Sequence, residues 1–169
     1  MDNKPELKYD ICQNPTESDE IVSFLTEHWG SEDIVSRGKI TDASLLPRIT
    51  VHDGNNKLIG LATYSIDSKS NSCELVSIDS TIQGQGIGSQ VLTKVENEAK
   101  QAGCRKIWLI TTNDNLEASA FYVRKGYRLV HVHLEALDES RRLKPSIPKT
   151  GNHGISLQDE WEFEKSLLK

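Results

Sequence analysis

The sequence predicts a mixed α/β (α+β) fold with a central, mostly antiparallel sheet that contains one parallel strand pair. Two observations predict it. Strand-like runs succeed one another from Ile49 to Asp79, broken only by short turns. A strand, a glycine turn, a helix and a second strand then follow over residues 74–111, and such a crossover makes its two strands parallel neighbours. A length of 169 residues suits one domain with a real core, so residues 1–169 are read as a single domain.

The elements follow in chain order. Leu7, Tyr9 and Ile11 alternate as a first strand, which Asn14-Pro15 breaks. Thr16 or Ser18 suits a helix N-cap, with Glu17, Asp19 and Glu20 favourable in the first turn. Ile21, Val22, Leu25 and Trp29 share a helical face, and Gly30 ends the helix. Residues 31–46 show no clear period, with a loop at Arg37-Gly38. Ile49 and Val51 begin a strand, Asp53-Gly54-Asn55-Asn56 turns it, and Leu58 to Ile66 returns. Residues 73–79 form the next strand, which runs into Gly84, Gly86 and Gly88.

After the glycines, Ile87, Val91, Val95, Ala99 and Ala102 recur at near-helical spacing up to Gly103. Lys106 to Thr111 reads as a buried strand. Asn113 to Asn115 opens a helix that Gly126 stops, Arg128 to Ala136 alternates as a strand, and Glu160 to Glu164 alternates as the last one. Residues 138–155, with two prolines and two glycines, read as a long loop.

Composition narrows the function classes. The net charge of −5 argues against a dedicated nucleic-acid binder. The apolar runs are too short to span a membrane. The polar start, Met1 to Glu6, carries no signal segment. Three scattered cysteines without a Cys-x-x-Cys predict reduced thiols and a cytoplasmic protein. His131, His133 and His153 suggest zinc only weakly, because no third ligand is placed, and no metal is expected.

The glycine turn is the chemical signal. A strand that ends in glycines before a helix aims several backbone N–H groups at one point, and the helix dipole adds positive potential. That suits a phosphate or pyrophosphate. A P-loop requires lysine after its last glycine, but Gly88 precedes Ser89-Gln90. A dinucleotide fold requires G-x-G-x-x-G and an acidic residue about 20 residues on. Here the spacing is G-x-G-x-G, and Asp114 lies beyond the next strand.

Gln83-Gly84-Gln85-Gly86-Ile87-Gly88 has the Q/R-x-x-G-x-G/A form of the GNAT superfamily of N-acetyltransferases, and Asn115 to Tyr127 matches its second signature, N-x-x-A-x-x-F-Y-x-x-x-G-Y. The chain resembles that superfamily over about residues 5–165. Arg141 to Pro148, Gly154 to Glu160 and Trp29-Gly30-Ser31 are also similar to a bacterial subgroup without an agreed substrate.

The resemblance implies a GNAT fold with helices on both faces and acetyl-CoA as co-substrate. It implies that Val76 to Ser80, Ile78 and Ser80 included, line the pantetheine arm, with the Ile78 N–H facing the thioester carbonyl. It implies that the amides of Gln83, Gly84, Gln85, Gly86, Ile87, Gly88 and Ser89 hold the pyrophosphate, that Asn115 touches the arm, and that Tyr122 is the general acid. Glu74 is a candidate base, or else an exposed carboxylate at a strand start. Many members carry proline where Ser80 stands. The expected partner is a small-molecule or peptide amine, with no nucleic acid and no membrane. The acceptor's identity and homodimerisation stay open. A catalytically silent acyl-CoA-binding or regulatory module is the alternative function. The late loop is expected to roof the acceptor site together with residues 29–40.

Overall fold

The structure is a computed structural model and describes residues 6–169. The polar start therefore lies, but for Glu6, outside the described residues. Nine strands and four helices follow in order: β1 (Lys8–Cys12), α1 (Asp19–Trp29), β2 (Asp33–Ser36), β3 (Lys39–Asp42), β4 (Arg48–His52), β5 (Leu58–Asp67), β6 (Ser72–Ser80), α2 (Ile87–Gln101), β7 (Lys106–Thr112), α3 (Leu116–Arg124), β8 (Arg128–His133), α4 (Ala136–Leu143) and β9 (Glu160–Ser166).

Seven strands form one sheet in the order β1-β4-β5-β6-β7-β9-β8. Only β6 and β7 pair in parallel; the other neighbours are antiparallel. The apolar stripe of α2 (Ile87, Val91, Val95, Ala99) packs on one sheet face with Cys73, Leu75, Ile107, Leu109, Phe163 and Tyr122 of α3. On the opposite face, Ile21, Phe24 and Leu25 of α1 meet Leu58, Leu61 and Ile34. Helices thus cover both faces.

The parallel pair does not stay together. Its ladder runs from Ser72↔Lys106 to Leu75↔Leu109 and stops. Beyond that point β6 goes on pairing with β5 as far as Ser80↔Gly60, and β7 with β9 as far as Thr112↔Glu160. A register shift at Thr63/Tyr64 leaves Val76 unmatched where the split begins, and such a bulge bends its strand. The sheet therefore opens into a wedge between Val76–Ser80 and 110–112.

Two segments differ from the sequence expectation. Residues 31–46 contain the β2–β3 hairpin, whose turn residues Arg37 and Gly38 both take positive φ, 49° and 69°, the geometry of a tight two-residue hairpin. Residues 138–155 are not one long loop. Most of α4 lies there, as does a short 3-10 turn at Asn152–Gly154. Only Leu137 and Ser140 of α4 are buried, so a single buried apolar side chain leaves no helical period to read. Strand β8 ends at His133, earlier than expected, because Glu135 takes a φ of 58° to start α4.

The segment after α4 is held by polar contacts to residues 112–114. The Asp114 carboxylate accepts from Thr112 Oγ1 at 2.5 Å and from the Asn152 N–H at 2.8 Å. The Asn113 side chain accepts from the N–H groups of Gln158 and Asp159, both at 3.0 Å. A Cβ on Gly151 would stand 2.2 Å from Asp114 Oδ2 and 2.6 Å from Leu157 Cδ1. Gly151→Ala is therefore expected to cost about 1–3 kcal/mol, as overpacking does, read as a lower midpoint in urea unfolding.

Candidate active site

The wedge and the glycine turn form one continuous site. The N–H of Thr81 donates to Ile59 O at 2.9 Å. Alternation along an antiparallel pair then directs the N–H groups of Asp79 and Ser77 toward β5, and those of Ser80 and Ile78 away from it. On that side β7 has already diverged. The backbone groups of Ile78 and Ser80 thus face the wedge without a strand partner, and buried groups of this kind require one.

Ser80 closes the turn with its own side chain. Its hydroxyl donates to Ile82 O at 2.9 Å and accepts from the Ile82 N–H at 3.2 Å, which bends the chain at this point. Gly84 and Gly86 have φ of 77° and 74°, the left-handed region that disfavours other residues. Gly88 does not, and a Cβ there would only touch Phe121 at 3.8 Å. The first α2 hydrogen bond runs from Gln90 N–H to Gly86 O at 3.1 Å. The amides of Ile87, Gly88 and Ser89 precede it and are left for an anion.

Tyr122 lies on α3, buried at its ring by Tyr127 at 5.6 Å and Phe163 at 6.1 Å between centroids. Burial, then the charge of Asp79, hold its phenol well above the ordinary tyrosine value. The Asn115 side chain caps α3 by accepting from the Ala118 N–H at 3.2 Å, and Asn115 also lines the cavity below the wedge.

That cavity, of about 110 Å³, is walled by Glu74, Val76, Asn115, Trp29, Leu137 and Glu160 among others. Its roof is α4 with the β2–β3 hairpin and the end of α1. Lys144 ties the roof together, its ammonium donating to Trp29 O at 3.2 Å and Asp33 O at 2.8 Å. A second cavity, of about 450 Å³, adjoins at Glu74 and holds Arg37, Lys39, Lys106, Trp108 and Glu162. Burial raises the Glu74 carboxyl; Lys39 and Arg37 oppose that, and Glu162 adds to it.

Sequence reasoning did not single out Asp79. It accepts from Trp29 Nε1 at 2.5 Å, and burial pushes its carboxyl up to about 6 against the pull of Trp29 and His28. An acid directly after an apolar strand run was the available signal. Since the folded protein keeps a proton that the unfolded chain releases near pH 4, Asp79 makes stability fall as pH rises from about 4 to about 6. Asp79→Asn is expected to flatten that fall, seen in denaturant unfolding of both proteins at several pH values.

His133 pairs with Glu162 at 2.8 Å and His153 with Glu117 at 2.6 Å. Among the described residues no group of three or more His, Cys, Asp or Glu is placed to hold a metal, and no helix is long and apolar enough to cross a membrane.

The described residues thus form a mixed sheet split at its parallel pair, with a glycine turn at the mouth of the split. Residues 16–127 match the model of the acetyltransferase (GNAT) family, and the chain belongs to that family. YdhI, an uncharacterized protein of Bacillus subtilis strain 168, is 40% identical over 147 residues, 87% of this chain and 91% of its own. Among solved structures, a Bacillus subtilis acetyltransferase in complex with CoA superposes with a TM-score of 0.68 at 16% identity, covering 96% of this chain and 100% of that one. A GNAT family acetyltransferase from Elizabethkingia anophelis with acetyl-CoA bound gives 0.67 at 17% identity, over 98% and 99%.

Proposed function

We propose that this protein transfers an acetyl group from acetyl-CoA to a primary amine that enters under the roof of α4. The observation that carries this is the wedge between β6 and β7, with unpaired backbone groups at Ile78 and Ser80 leading to the orphan amides of Ile87, Gly88 and Ser89. Two structures of the same fold hold CoA or acetyl-CoA.

Acetyl-CoA supplies the activated thioester. In this reading Val76, Ile78 and Ser80 pair with its arm as an added strand would, and Asn115 borders the arm. Residues Gln83 to Ser89 hold the pyrophosphate. The Ile78 N–H stabilises charge that develops on the thioester oxygen. The amine nitrogen bonds to the acetyl carbon as the C–S bond breaks. The nitrogen's proton leaves toward Glu74, whose carboxyl burial makes more basic than an exposed glutamate. The sulfur takes a proton from Tyr122, which its surroundings keep protonated, and solvent resets both groups.

The test is thiol release from acetyl-CoA with a panel of primary amines, with the acetylated product identified by mass spectrometry. Amine-dependent release supports the reading. Tight CoA binding with no release from any amine would instead favour a silent acyl-CoA-binding module.

A further inference from the structure

Among the described residues Glu160 is the most completely buried acid, at 1% exposure, and it has no ion-pair partner there. Its oxygens accept only from neutral donors, the Arg37 N–H at 2.9 Å and Ser140 Oγ at 3.0 Å. The Arg37 guanidinium turns instead to Glu162 at 3.6 Å, and Lys106 is taken by Glu164 at 2.7 Å. Buried charges are ordinarily paired. This one lines the cavity under the roof, and among the described residues none that lines that cavity is basic.

The register places Glu160 relative to Glu74. Glu74 stands opposite Trp108, which stands opposite Glu164, so Glu74 and Glu160 project from the same sheet face. Two strand spacings and four residues of rise separate their Cα atoms by roughly 16 Å. Both carboxylates therefore look into one cavity from opposite ends. Glu74 is already assigned to the reacting amine, whose proton it accepts at its own end of the cavity. Glu160 thus suits a charge on the acceptor other than the reacting one.

We propose that Glu160 anchors a second cationic group of the acceptor, so that the substrate class is a diamine or longer oligoamine. This rests on the amine-transfer reading of the same site. The basic residues of the adjoining cavity do not favour an anionic acceptor, because Arg37 and Lys106 already have carboxylate partners and Lys39 faces Glu74.

The test compares 1,4-diaminobutane, n-butylamine and 2-aminoethylphosphonate as acceptors for wild type and Glu160→Gln, which keeps the shape of the side chain. Wild type is expected to favour the diamine over butylamine in kcat/KM by about tenfold or more, and the ratio in Glu160→Gln falls to about one. Calorimetry of the diamine binding to the protein–CoA complex gives a readout without turnover, and retained CoA binding shows that the variant is folded. A Glu160-dependent diamine affinity without any thiol release would keep the anchor and sink the transfer reading. Equal rates for the two alkylamines, a ratio unchanged in Glu160→Gln, preference for the aminophosphonate, or no diamine binding to wild type would each overturn the anchor.

Discussion

Tyr122→Phe is expected to lower kcat by about a hundredfold or more, the usual scale of a lost general acid, with KM for acetyl-CoA nearly unchanged. The ring contacts to Tyr127 and Phe163 survive the change, so the thermal midpoint moves little. What is removed is one hydroxyl, and its proton is held firmly by burial and by the Asp79 charge. In the proposed mechanism only the departing thiolate calls for it. Steady-state kinetics with any amine that supports turnover measure the effect. A kcat within twofold of wild type would assign Tyr122 to the core alone and leave the sulfur to be protonated by solvent.

Ser89→Glu separates stability from binding. Ser89 is the third residue of α2, directly before the first intrahelical bond of Gln90. A carboxylate there favours the helix by about 0.3–1 kcal/mol through the macrodipole. The same carboxylate occupies the positive potential that the proposed pyrophosphate site uses. Two like charges about 4 Å apart repel by roughly 4 kcal/mol at an effective dielectric near 20. The expected result is a thermal midpoint equal to or above wild type and CoA affinity down by about a thousandfold. Isothermal titration with CoA beside a melting curve reads both. CoA affinity left intact would move the pyrophosphate away from these amides.

Much of the frame could be read in the chain. Alternation fixed β4 to β6, and near-helical spacing fixed α2. The crossover rule alone makes β6 and β7 parallel. The glycines announced an anion cradle, and two of them take the φ that explains them. The roof was harder. Helix α4 buries only Leu137 and Ser140, and β2 and β3 are four residues each. Periods that short do not rise above chance. Their stability comes from contacts across the fold, such as Lys144 on Trp29 and Asp33.

Glu160 shows the limit most clearly. In Glu160-Trp161-Glu162-Phe163-Glu164 the alternation places Phe163 in the core and the glutamates on the other face. That pattern reads either as a solvated face or as a border of the acceptor site, and local sequence does not decide between the two. What the sequence by itself determined is the sheet, its parallel pair and the cradle, because periodicity and backbone freedom are local properties. What only the tertiary structure decided is the covering of the far face by α4 and the β2–β3 hairpin. Burial depends on segments more than a hundred residues apart, and it turns an ordinary surface glutamate into a charge without a partner.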